Sequence, residues 1–167
     1  NRSTAVGYKA MFNADDRTTG QATYNTAIGC EALLGSSTAS NNTGQYNTAV
    51  GDQALYKNTS GYSNSSLGYH ALKDNTSGFR NSAVGFESLE LVTTGDYNCA
   101  LGYESGNTLT SGNQNTMIGS FSDVSSSSQT NSTAIGYNSL ASASNQVRIG
   151  NTAITSLHCQ GAYAGTV

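Results

Sequence analysis

Two histidines, three cysteines and ten acidic residues are the side chains of this sequence around which acid–base, nucleophilic or metal chemistry would have to be built. His70 and His158 lie far apart along the chain, and their spacing supports no Ser-His-Asp or Cys-His set. His70 follows a tyrosine and reads as a surface residue. The acids Asp15, Asp16, Asp52, Asp74, Asp96 and Asp123 fall in different phases of the surrounding pattern, as turn or surface carboxylates do. No Gly-Gly-x-Gly-x-Asp array of a calcium-binding roll is present. A glycosidase pair cannot be chosen either, because any two acids would serve equally. Cys30, Cys99 and Cys159 occupy three different slots, which implies no ladder of bridges and leaves one thiol unpaired. They read as buried or half-buried free thiols. The sequence therefore nominates no catalytic residue and no cofactor.

What it does contain is a phrase: a polar residue, Ser or Thr, Ala, an aliphatic residue, Gly. Copies end at Gly7, Gly29, Gly51, Gly68, Gly85, Gly102, Gly119, Gly136 and Gly150. The steps between these glycines are 22, 22, 17, 17, 17, 17, 17 and 14 residues. A period near 20 means stacked like units, hence a solenoid or array and not a conventional enzyme core. Charged residues are 10% of the chain, against ~25% in an ordinary domain, and proline is absent. A strict aliphatic slot in every copy argues against disorder despite the low charge. The net charge of −3 with seven basic residues leaves no stripe to neutralise nucleic acid. Apolar runs fall far short of a membrane span, and no targeting segment is visible. The chain opens inside a repeat, which suggests a piece of a longer polypeptide.

Within each phrase, alternation puts the Ser/Thr and the aliphatic residue on one face and Ala on the other. The aliphatic slot is Ile28, Val50, Leu67, Val84, Leu101, Ile118 and Ile135. These seven are expected to be buried as one column. The Ala face (Ala27, Ala49, Ala83, Ala100, Ala134) is expected to admit a second backbone closely. A second short strand is expected after each Gly, as in Tyr8–Met11, Cys30–Leu33, Asp52–Leu55, Tyr69–Leu72 and Phe86–Leu89. Polar bends such as Asn75-Thr76-Ser77-Gly78 then close the coil. Asn25, Asn47, Asn64, Asn81, Asn98 and Asn115 recur four residues before Gly and read as a stacked-amide ladder. Tyr8, Tyr69, Phe86, Tyr103 and Tyr137 read as core or interface rather than as sugar platforms. Asn41, Asn58 and Asn75 begin glycosylation-type triplets, which arise freely in such a composition. Nine levels at ~4.7–4.9 Å predict a roll of about 40 Å. One coil buries too little to offset the ordering of its backbone, so a thin core and a small face together predict several chains side by side.

Asn131-Ser132-Thr133-Ala134-Ile135-Gly136 and Asn145-Gln146-Val147-Arg148-Ile149-Gly150 resemble the Asn-Ser-Val-Ala-Ile-Gly repeat of YadA-like heads in trimeric autotransporter adhesins. The resemblance implies an all-β fold: a parallel β-solenoid, a left-handed β-roll, here of 17–22-residue coils, as a side-by-side homotrimer. The longer repeats, Asn-Thr-Ala-Ile-Gly-Tyr-x-Ala-Leu, are similar to repeats of phage and virus fibre proteins and bacterial surface proteins. Asn145 to Leu157 resembles the stretch before an endosialidase-type intramolecular chaperone domain, which trimerises fibres and then releases itself. On this reading residues 1–150 form the roll and 151–167 its exit or cap, leading to a missing C-terminal domain, with Val167 either a self-cleaved terminus or a truncation point. In a trimer His158 would supply three ligands near the axis, a candidate metal or anion site. The function implied is a structural fibre or adhesin segment, extracellular, on a virion or bacterial surface. It would present loops to a host cell-surface glycan or protein by avidity. A phage or virus fibre is favoured by the C-terminal segment; a bacterial adhesin head is the alternative. A polysaccharide-degrading solenoid enzyme would need clustered acids in one cleft, and an ice-binding solenoid would need an unbroken Thr ladder, which Ser65, Ser82 and Cys99 interrupt.

Overall fold

A computed structural model describes residues 2–13 and 22–156. The repeated phrase forms a three-residue strand wherever it occurs. In chain order these are β1 (Thr4–Val6), β2 (Thr26–Ile28), β3 (Thr48–Val50), β4 (Ser65–Leu67), β5 (Ser82–Val84), β6 (Cys99–Leu101) and β7 (Thr116–Ile118). Then come β8 (Asp123–Val124), β9 (Thr133–Ile135), β10 (Leu140–Ala141) and β11 (Val147–Ile149). Nine of them form one sheet in the order β1-β2-β3-β4-β5-β6-β7-β9-β11, every neighbour parallel. The register never slips: Thr26 opposes Thr48, Thr48 opposes Ser65, and Ser82 opposes Cys99. The chain is thus an all-β parallel solenoid, and no α-helix occurs among the described residues. Eight strand spacings give it about 38 Å of stack.

Extra residues leave that sheet untouched. The 22-residue coil from Gly29 to Gly51 spends its surplus in a loop carrying a short 3-10 turn at Ala39–Asn41. Gly85 shows why the glycine slot is closed to other residues. Its φ is 137°, and a Cβ there would collide with the carbonyl of Gly102 one level on.

The segment after each glycine is not the second strand expected from the sequence. Residues 69–74 form consecutive turns, with His70 and Leu72 at φ 55° and 54°. Glu87 and Leu89 repeat this at 51° and 52°. The left-handed region costs an L-residue ~1–2 kcal/mol. The compensation is hydrogen bonding along the stack. His70 N–H donates to Asp52 O (3.0 Å) in the coil before, and Leu72 N–H to Ser88 O (3.0 Å) in the coil after. Next along the chain, Lys73 N–H closes a local turn on His70 O (3.1 Å). Only near the end does a second sheet appear, where β10 pairs parallel with β8.

The interior is narrow and reverses the expected faces. Ala27, Ala49, Ala83 and Ala134 are fully buried in the single chain, and Ser66 and Ala100 nearly so. The opposite wall is a column of leucines, Leu33, Leu55, Leu72 and Leu89. The small face admits the far wall of its own coil, not a second chain. Ser88 Oγ reaches Ala100 O at 3.3 Å across that gap. Gly106 and Met117 show how tightly the two walls are matched. Gly106 stands where other coils carry Leu, and Met117 where they carry Ala or Ser. A Cβ at Gly106 would meet the Met117 Cε at 2.6 Å, so the longer side chain fills the space the missing Leu leaves.

At one corner the asparagines form the expected ladder. Asn47, Asn64, Asn81 and Asn115 are fully buried, and Asn98 nearly so. Each Oδ1 accepts the backbone N–H of the next member, for example Asn81 N–H to Asn64 Oδ1 at 2.9 Å. Each Nδ2 donates to a turn carbonyl of the following coil, as Asn64 does to Gly78 O at 2.8 Å. A shorter ladder runs beside it, with Asn75 Nδ2 donating to Asn58 Oδ1 at 2.7 Å. Two of the three glycosylation-type asparagines, Asn58 and Asn75, are therefore buried and occupied; Asn41 is exposed.

Candidate functional site

With Ala turned inward, the nine-stranded sheet shows its β-branched face to solvent. The seven aliphatic residues expected in the core lie outside the coil. Ile28, Leu67, Val84, Leu101, Ile118 and Ile135 range from 36% exposed at Ile135 to 51% at Leu67, and Val50 is half-buried. The cause is space: where a leucine lines the far wall, the level has room for only a small residue from the strand. The parallel ladder sets these side chains one above another, a continuous stripe along the stack. Contiguous exposed apolar surface of this kind is unusual in a monomer.

Beside it runs an aromatic column. Tyr69, Phe86, Tyr103, Phe121 and Tyr137 contact one another in sequence with ring centroids 5.0, 5.0, 5.2 and 6.0 Å apart. All five are exposed in the single chain, so of the two readings, core or interface, the core one is corrected. A second column carries Tyr62, Phe79 and Tyr97, with the Arg80 guanidinium 5.3–5.9 Å from all three rings. Tyr62–Phe79, Tyr69–Phe86 and Phe86–Tyr103 stack, while Phe79–Tyr97, Tyr103–Phe121 and Phe121–Tyr137 meet edge to face, and both arrangements are favourable at one coil spacing.

Charged side chains pair between coils. Lys57 meets Asp74 at 2.9 Å, and Lys73 meets Glu90 at 3.1 Å. His70 is not the free surface residue its sequence position suggests. Its side chain is 13% exposed and its Nδ1 faces Glu90 Oε1 at 3.2 Å and Glu87 Oε1 at 3.9 Å. Burial works against the Lys73 ammonium, yet the hydrogen bond and charge of Glu90 outweigh it and hold its pKa up. Burial, then the charges of Glu90 and Glu104, push the Glu87 carboxyl above the usual range. Asp123 is also raised by burial, against hydrogen bonds from Thr108 and Val124. Its oxygens accept from Thr108 Oγ1 at 2.8 Å and Val124 N–H at 2.8 Å. It lines an open cleft with Glu104, Asn107, Phe121 and Asn138, but those bonds commit the carboxylate to holding the coil.

The other candidates spread out. Asp96 accepts the Phe79 N–H at 2.9 Å, a turn role. Cys30 is half-buried, as expected, whereas Cys99 is exposed on the sheet's outer face and corrects the expectation there. Burial and the carboxylates of Asp52 and Glu31 push the Cys30 thiol up. Asp15, Asp16, His158, Cys159 and Val167 lie outside the described residues. The sequence reading missed the charge pairs, although their signal was present. In a stack with a 17-residue step, residues 17 apart are neighbours, as Lys73 and Glu90 are.

Among the described residues no helix is long and apolar enough to cross a membrane. No family model and no curated protein matches the chain. Among solved structures, the chain is similar to the collagen-binding domain of the Yersinia adhesin YadA. The likeness is 18% identical with a TM-score of 0.48, and it covers 100% of this chain and 90% of that one.

Proposed function

We propose that the chain is a shaft or head segment of a surface-displayed trimeric fibre or adhesin, assembled through the outer face of its nine-stranded sheet. The observation that carries this reading is the stripe from Ile28 to Ile135. A single coil has hidden its alanines and leucines and left its aliphatic column in water. Covering that column with two further copies removes it from solvent along the whole rod, at ~25 cal/mol per Å² of apolar surface buried. The Asn131–Gly136 and Asn145–Gly150 phrases, which resemble trimeric adhesin heads, support three copies. They also support display outside the cell, where three like faces engage a host glycan or protein together. The stretch from Asn145 favours a phage or virus fibre over a bacterial adhesin head, with residues 1–150 as the roll and 151–167 as its exit.

Light scattering on the intact chain tests the assembly. The expected mass is three times the 17.2 kDa of one chain. Replacing Leu67 and Leu101 together by Glu puts charge into the stripe and should release folded monomers. A monodisperse, folded wild-type monomer overturns the reading.

A further inference from the structure

We propose that His70, Glu87 and Glu90 form a binding site for one divalent transition-metal ion of the zinc class. The three side chains come from two adjacent coils, His70 from one and the two glutamates from the next. Each offers a ligand atom within 4.8 Å of the others. Ligands ~2.0–2.1 Å from a tetrahedral zinc stand ~3.3 Å from one another. The His70–Glu90 separation of 3.2 Å already meets that, and 3.9 Å to Glu87 asks for a small rotation.

The state of His70 Nδ1 points the same way. This atom is buried and has no hydrogen-bond partner, although Glu90 Oε1 is 3.2 Å away. The two groups are close and misaligned. Two ligands of a shared ion stand in that relation, since each aims at the ion and not at the other. The ring is held in place by stacking on Tyr69, 3.7 Å between centroids.

Charge favours a cation here. Glu87 stacks between His70 and Glu104, so two carboxylates of the ladder are adjacent with Glu90 beside them. One cation, the Lys73 ammonium, lies 3.1 Å from Glu90 Oε1. It is partly exposed and free to swing into water as an ion takes the carboxylate. The corresponding positions of the coils on either side are Gln53 with Tyr56 and Glu104 with Asn107, so among the described residues this pair of coils alone brings imidazole and carboxylate together. Imidazole with carboxylates suits zinc and its neighbours, not calcium or magnesium. Three protein ligands leave a fourth position for water.

Calorimetric titration of zinc chloride into the full chain tests this, with Cys30, Cys99 and Cys159 replaced by serine so that thiols cannot answer for the site. One zinc per chain is expected, with no heat from calcium. Loss of a partner outside the ligand shell commonly costs a metal site about tenfold, so His70→Gln and Glu90→Gln should each weaken binding at least that much. Lys73→Met should tighten it by removing the competing ammonium. Circular dichroism of each metal-free variant checks its fold, and Glu87→Gln decides the matter alone should His70→Gln unfold. Absence of saturable zinc binding, or binding that folded His70→Gln or Glu87→Gln leaves unchanged, overturns the proposal.

Discussion

Asn64→Ala cuts the asparagine ladder in the middle of the stack. The side chain is fully buried, donates to Gly78 O at 2.8 Å and accepts from Asn81 N–H at 2.9 Å. Its loss is uneven. Gly78 O keeps a second donor, Asn75 Nδ2 at 3.0 Å. The Asn81 N–H is left buried without an acceptor. An orphaned donor costs ~1–3 kcal/mol and the other lost bond ~1, about 2–4 kcal/mol per chain. For a domain of this size that lowers the melting temperature by about 4–16 °C. Asn64→Asp sharpens the test. Its carboxylate still accepts from Asn81 but faces the Gly78 carbonyl with a second acceptor, and its charge is buried. It should melt below Asn64→Ala at neutral pH and recover in acid, as the protonated carboxyl regains a donor. Thermal melts at matched chain concentration, followed by circular dichroism, supply the readout. If Asn64→Ala melts with the parent, or Asn64→Asp is no worse than Ala at neutral pH, the ladder does not hold the coils together.

Two further outcomes are expected. In the unassembled Leu67→Glu, Leu101→Glu background, Ala83→Leu should destabilise by ~1–3 kcal/mol or more through overpacking, while Val84→Ala costs under about 1 kcal/mol. Chemical denaturation measures both, and the reverse order would place the opposite face inside. Glu87 has its folded pKa raised, so its contribution to stability is present below the ordinary glutamate range and is lost as pH rises through the folded value. As pH rises above the ordinary glutamate range the parent should lose stability relative to Glu87→Gln; melting curves that stay parallel across that rise would refute the assignment.

The stack was legible in the chain alone. Glycines at steps of 17 and a fixed three-residue phrase before each require like units in register, and the nine-stranded parallel sheet follows the phrase residue for residue. The asparagine ladder was legible for the same reason: one amide per coil at a constant offset has its next neighbour one coil away. The orientation of the strand was not legible. Alternation over three residues separates Thr26 and Ile28 from Ala27, but it does not say which side is interior. The usual preference for apolar interiors chose Ile28, and the structure buries Ala27. That choice is made by the far wall, where Leu33, Leu55, Leu72 and Leu89 fill the narrow coil and leave room only for small strand residues. Those leucines reach the interior through left-handed backbone at Leu55, Leu72 and Leu89, which local propensity disfavours and only bonds to the coils above and below stabilise. His70 and Glu87 became neighbours by the same route. Seventeen residues apart in the chain, they meet because one coil sets the next directly upon it.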